Sequence, residues 1–172
     1  REVRAYLSGG YIHQQIPGSL TLAQALSDPE AAAAANVSLN YQRDQRVVRG
    51  VVQTRWRLDA NSVLEGGVYA TWKDLDHPIF QVIDQESRNL GVFGRMDWTG
   101  GFMGRPADLF YGASYRTGDL DANQWANLRG SKGAQTAESR QNAKGLDVFA
   151  EGRLFVTDEI AIIGGGSYGK AE

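Results

Sequence analysis

Alternation with a period of two constrains this chain more than any other feature. From Arg46 to Leu58, Val48, Gly50, Val52, Thr54, Trp56 and Leu58 fall on one side of an extended backbone. Arg49, Val51, Gln53, Arg55 and Arg57 fall on the other. Successive side chains of a strand point to opposite faces, so this stretch reads as a strand with one apolar and one polar face. After the turn residues Asp59-Ala60-Asn61, Val63 to Lys73 repeats the pattern, with Leu64, Gly66, Val68, Ala70 and Trp72 opposite Glu65, Gly67, Tyr69, Thr71 and Lys73. Pairing Trp56 with Leu64 keeps the apolar faces together and sets Arg55 against Glu65, a favourable cross-strand pair. A slip of one residue would turn every apolar side chain over.

The same alternation runs through 2–14, 89–98, 109–116 and 144–156, and 160–170 makes a seventh strand whose facing is ambiguous. The connections read as alternately long and short. Residues 15–45, 74–86 and 118–143 are expected to be long loops, 59–61 and 157–159 short turns, and 99–108 a glycine-rich link. The first long loop carries helix signals. Thr21 and Gln24 are spaced as a capping box. Asp28-Pro29-Glu30 then reads as a second N-terminus, ahead of the helix-forming run Ala31–Ala35, with Asn36 as its stop.

Strands with aromatic ends (Trp56, Trp72, Trp98, Tyr115), charged opposite faces, and long loops at one end with short turns at the other point to a fold class. The expectation is all-β: an antiparallel up-and-down transmembrane β-barrel segment. Average hydropathy stays modest in such a wall because only alternate residues meet lipid. Seven strands is an odd number, whereas single-chain bacterial barrels have even ones. Arg1 opens without a leader, and Ser167–Glu172 stops within a strand. Residues 1–172 are therefore expected to be part of a larger barrel domain. Two other architectures fit the alternation: a smaller outer-membrane barrel with a structural or adhesive role, and a soluble all-β binding module.

The composition removes several functions. With 18 basic and 20 acidic residues the chain has no basic footprint for nucleic acid, and with no cysteine it has neither disulfides nor thiolate metal sites. Gly164–Lys170 fits the spacing of a phosphate-binding loop, but Ala171 stands where Ser or Thr should ligate magnesium. Asp119-Leu120-Asp121-Ala122-Asn123 imitates the start of a calcium loop, with Gln124 in place of its glycine and Gly130 in place of its final glutamate. Asp74, Asp76 and His77 lie close enough to share a metal, but three ligands so near in sequence suit loop shaping better. No catalytic constellation is present, so an enzyme is not expected, and no cofactor is implied.

The segment Lys73-Asp74-Leu75-Asp76-His77-Pro78-Ile79-Phe80, running on through Val82, Ile83, Asp84 and Gln85, resembles the barrel of TonB-dependent receptors, especially siderophore-receptor-like members. Gln15-Ile16-Pro17-Gly18-Ser19-Leu20-Thr21, the alanine-rich loop helix and Gly145–Glu151 are similar to the same group. The resemblance implies a 22-stranded barrel in the outer membrane of a Gram-negative bacterium. It also implies a plug domain, outside these residues, through which the TonB–ExbB–ExbD complex supplies energy. The implied cargo is a ferric siderophore or another metal chelate, and the other partner is outer-membrane lipid. The resemblance places ligand contacts in the extracellular loops, where His13, Asp74, His77, Phe80, Arg116 and Trp125 are the candidates. Arg49, Arg55, Glu65, Arg95, Asp147, Glu151 and Arg153 would line the lumen as wall charges.

Overall fold

The computed structural model describes residues 1–172. The chain forms one sheet of seven antiparallel strands in up-and-down order, β1 to β7, each bonded to its neighbours in sequence. The strands are β1 (Glu2–Gln15), β2 (Gln42–Arg57), β3 (Ser62–Pro78), β4 (Gln81–Phe102), β5 (Arg105–Leu128), β6 (Ser131–Phe155) and β7 (Ala161–Ala171). Helices α1 (Leu22–Ser27) and α2 (Ala34–Ser38) sit in the β1–β2 connection. The all-β class and the up-and-down topology are as the alternation requires. So is the register, with Trp56 opposite Leu64 and Arg55 opposite Glu65.

Three expected loops are strands instead. Residues 74–86, 99–108 and 118–143 lie within β3–β6 apart from tight reversals. Met103-Gly104 and Arg129-Gly130 make two of those reversals, each with φ positive at both positions. That is the turn whose twist matches the flanking strands. These stretches carry charged residues, such as Asp74, Glu86, Asp119 and Asp121, on the face that is uncharged elsewhere, so no alternation marks them. The asymmetry between the two ends survives in another form. Beyond Tyr115, where its uncharged stretch ends, β5 runs on the order of 40 Å to Leu128, whereas the opposite turns are short.

The helical connection also differs in detail. Thr21 does cap α1 with a capping box on Gln24. Asp28, however, closes α1, its N–H bonded to the Gln24 carbonyl. The second helix starts only at Ala34, after the Ala33 N–H has gone to the Pro17 carbonyl at 2.7 Å. Asn36 lies inside α2 and its amide donates to the Ile16 carbonyl at 3.1 Å. Its side chain ties the helix to the end of β1 and does not end it.

The register settles the two faces of the whole sheet, including β7, where Ile162 pairs with Leu154 and Tyr168 with Val148. One face carries Val3–Tyr11, Val48–Trp56, Leu64–Trp72, Leu90–Trp98, Ala107–Tyr115, Leu146–Leu154 and Ile162–Tyr168, taking every second residue. None of those positions is charged. No second layer covers this face: Leu7 is 83% exposed, Leu90 56% and Ile162 63%. Only 6 of 172 residues are buried, too few for a core of the kind a soluble sandwich packs between its sheets. No helix is long and apolar enough to cross a membrane, which says nothing about strands.

Candidate functional site

The polar face holds the chemistry. At the level of Arg55, the register lines up Glu2, Arg55, Glu65 and Arg95 on four adjacent strands, with charge alternating across them. Arg55 Nε lies 3.1 Å from Glu65 Oε1, Arg95 Nη2 lies 2.5 Å from Asp97 Oδ1, and Arg153 Nε donates to Asp108 Oδ2 at 2.9 Å. Arg95 and Arg153 also stack over Phe110 and Phe155, at 4.8 and 5.0 Å from the ring centres. A cleft of about 100 Å³ opens between Glu2, Arg4, Arg55, Glu65 and Phe93. One of about 400 Å³ lies among Arg95, Asp97, Asp108, Phe110, Glu151 and Arg153. The Arg55 and Glu65 side chains are 59% and 38% exposed, so the pair is worth under ~1 kcal/mol. Their use is to keep a wet surface charged without net excess.

All seven expected wall charges share this face. Arg49 lies between Ser8 and Thr71, Asp147 between Ser114 and Gly169, and Glu151 between Phe110 and Gly165.

The six ligand candidates do not converge. His77 and Arg116 are on the polar face. Arg116 lies in mid-strand over Gly145 rather than in a loop, and His77 Nδ1 sits 2.7 Å from the Gln42 carbonyl. Phe80 is at the β3–β4 tip, 69% exposed. His13, Asp74 and Trp125 fall on the other face. There His13 Nδ1 pairs with Asp44 Oδ1 at 2.5 Å and Asp74 stands beside Arg46 and Glu86. The phosphate-loop look-alike lies in β7, and the calcium-loop look-alike lies in β5 with its Gly130 in the following reversal.

What gathers at the long end is a cluster that the sequence does not announce. Asn127 Nδ2 donates to the carbonyls of Leu39, at 3.0 Å, and Ile79, while its Oδ1 accepts from the Gly130 N–H at 2.6 Å. One amide thus joins the helical connection, the β3–β4 tip and the β5–β6 tip. Pro78 and Val82 are fully buried beneath it. Asn127→Leu is nearly isosteric but leaves two carbonyls and an N–H unpaired. It is expected to raise protease cleavage within 16–41 about tenfold, in line with roughly 1–3 kcal/mol per unmet buried group shared over a local opening. An unchanged cleavage rate would remove Asn127 from this role.

Asp76 lies in the same region, beyond the uncharged stretch Leu64–Trp72. Burial pushes its pKa above the usual carboxylate value. Lys132 counteracts this, while Asp84, Asp44 and Asp74 reinforce it. Its Oδ1 is buried without a hydrogen-bond partner. A folded-state pKa above the unfolded one means that Asp76 contributes stability in full below the unfolded value, near 3.9. That contribution is lost as pH rises through the folded value. Asp76→Asn is therefore expected to slow amide exchange at Leu75 and Val82 at neutral pH, with the gain vanishing below pH ~3.9. A gain that persists in acid would assign the effect to something other than ionisation.

No protein-family model matches the sequence, and no curated protein matches it. Among solved structures, the chain is similar to P. aeruginosa FpvA in a complex with heterologous pyoverdine and iron, at 12% identity and a TM-score of 0.47. The match covers 98% of this chain and 33% of that one, so the chain spans about a third of that protein's length.

Proposed function

We propose that this chain is part of the wall of an outer-membrane β-barrel of the TonB-dependent uptake type, carrying a ferric siderophore or similar metal chelate inward. The observation that carries the membrane reading is a drift of the apolar boundary across the register. On β1 the upper aromatic is Tyr11, level through Arg46 and Asp74 with Glu86. On β7 it is Tyr168, level through Val148 and Ala113 with Gly94. Eight residues of drift along β4, about 27 Å, over six strand spacings, about 29 Å, mean that strands cross this boundary at about 43°. The lower boundary moves from Trp56, level with Met96, to Ile162, level with Gly100. That is a shallower slope of about 30°. The upper slope falls within the tilt of ~35–45° found in membrane barrels, and the lower lies below it. A water-facing sheet has no reason to keep an uncharged band whose edges slope across its strands.

In this reading the polar face lines the lumen. β1 and β7 run in the same direction, so bonding them to each other would make a parallel seam. Further strands of the wall, odd in number, would close the barrel in antiparallel fashion. The uptake role rests on the resemblance around Lys73–Gln85. Energy would reach the lumen from the TonB–ExbB–ExbD complex through a plug held against the wall charges. Of the six ligand candidates, His77, Phe80 and Arg116 have the placement for a chelate entering from the long end.

Because the chain has no cysteine, single cysteines report each face cleanly. In intact outer membranes, Val68→Cys and Val148→Cys should resist a charged maleimide, while Thr71→Cys and Ser114→Cys react. Equal labelling of both faces would overturn the membrane reading. Radioactive ferric-siderophore uptake that persists after loss of TonB would overturn the transport reading alone.

A further inference from the structure

On the membrane reading above, the upper edge of the apolar face carries a feature that wall-building alone does not require. Gly50 and Ala70 are register partners with almost no side chain, flanked by Leu7, Val48, Trp72 and Leu90. Together they leave a groove of about 530 Å³ on the lipid side of the sheet. Arg88 stands at its upper end.

The Arg88 head is positioned. Glu86 Oε1 accepts from Trp72 Nε1 at 3.1 Å and from Arg88 Nε at 2.6 Å. Arg88 Nη2 reaches the same oxygen at 2.5 Å, which leaves Nη1 unengaged on a side chain that is 73% exposed. Asp119, the register partner of Arg88 on the next strand, also lines the groove, and its carboxylate accepts from Asn142 Nδ2 at 2.7 Å. Arg88 is also not alone at this level. The outward residue just above the apolar stretch is Arg46 on β2, Lys144 on β6 and Lys170 on β7, with Asp74 on β3 the one acid at this level. Arg46 and Lys144 are in no ion pair, and Lys170 is paired with Glu172. The lower edge has no matching series.

We infer that this groove is a lipid site. One acyl chain lies over Gly50 and Ala70 between Trp72 and Leu90, and the phosphate of an anionic headgroup rests on Arg88, with Arg46, Lys144 and Lys170 continuing the cationic level around the wall. An apolar channel with a fixed guanidinium at its head matches a phospholipid in both chemistry and order. Cations at the headgroup level attract anionic lipid by about fivefold in binding for each charge.

The test reconstitutes the full-length protein in phosphatidylcholine vesicles containing phosphatidic acid with brominated acyl chains. Bromine quenches Trp72 fluorescence, with Trp72→Phe as the blank. Brominated phosphatidic acid should quench at lower mole fraction than brominated phosphatidylcholine. Arg88→Gln should reduce that preference about fivefold and leave phosphatidylcholine quenching unchanged. Ala70→Leu and Gly50→Leu should reduce quenching by both lipids. Gly50 has room, since an added Cβ would meet nothing closer than 3.9 Å. Equal quenching by the two lipids, or a preference that survives Arg88→Gln, overturns the headgroup site while the membrane reading stands. A preference abolished by inorganic phosphate overturns the assignment to lipid. If neither lipid quenches Trp72, the membrane reading and the site fall together.

Discussion

Val68→Arg is expected to prevent stable insertion of the wall, at a cost of about 2–4 kcal/mol for a cation at the bilayer midplane. Val68 is the middle outward residue of the uncharged stretch Leu64–Trp72, with Val52 and Val92 on either side. An arginine there has no water within reach and no acid to pair with. Ser114→Arg is the matched control. It lies at nearly the same level on the polar face, between Phe93 and Asp147, so the new charge gains an opposite partner. Its effect should stay within about 0.5 kcal/mol. Urea titration of refolding into vesicles, using the full-length protein, separates the two. The contrast is sharp because a water-facing sheet predicts no difference between the two. Val68 is 49% exposed, and replacing an exposed valine by arginine in water is close to neutral and favours solubility. Equal midpoints for the two variants would return the chain to the soluble all-β alternative.

The same division between faces explains what could be read from sequence. The β2–β3 register was legible because Asp59-Ala60-Asn61 has turn chemistry and each flanking strand has one apolar face. The facing of β7 was not legible, because Ala161, Ile162 and Ile163 are apolar in succession. Only pairing with β6 shows that Ile162 joins Leu154. Strand ends were missed wherever the chain leaves the uncharged band. There Asp119 pairs with Asn142 and Asp74 with Glu86, polar residues on the outward face that break the alternation and mimic a loop. The reversals gave no warning either, since Met103 and Arg129 precede glycine where Asn or Asp is the recognisable signal.

The ligand candidates scattered for the same reason. Had β5 been carried to its true end, parity alone would have put Trp125 with Tyr115, away from the polar face; His13, within 2–14, already shares the parity of Tyr11. Arg116 and His77 would have stayed on it. Asn127 had no signal at all. Its importance comes from three connections meeting in space, a juxtaposition that no local pattern encodes.

Gly112→Ala is expected to cost about 1–3 kcal/mol, as an overpacked position does, and trimming the side chain above it should not restore the loss. A Cβ at Gly112 would lie 2.5 Å from the Gly94 carbonyl oxygen and 2.6 Å from the Phe149 ring. The ring can move but the sheet backbone cannot, so Gly112→Ala should remain costly in a Phe149→Leu background. Gly91 offers the opposite case. The atoms nearest its added Cβ all belong to the Tyr69 ring. Gly91→Ala should therefore cost little once Tyr69 is Ala, giving a double-mutant coupling of roughly 1 kcal/mol or more. The pair is reciprocal, since Tyr69 lies over Gly91 and Phe93 over Gly67 on the same two strands. Aromatic rings folded down onto glycines cover the backbone while lifting little into the space above. On the polar face that leaves the charged groups, and not the rings, as what an incoming body meets. Equal coupling at both glycines would show that the rings, rather than the carbonyls, set the tolerance of this wall. Absent coupling at Gly91 would show that Tyr69 does not rest where this account needs it.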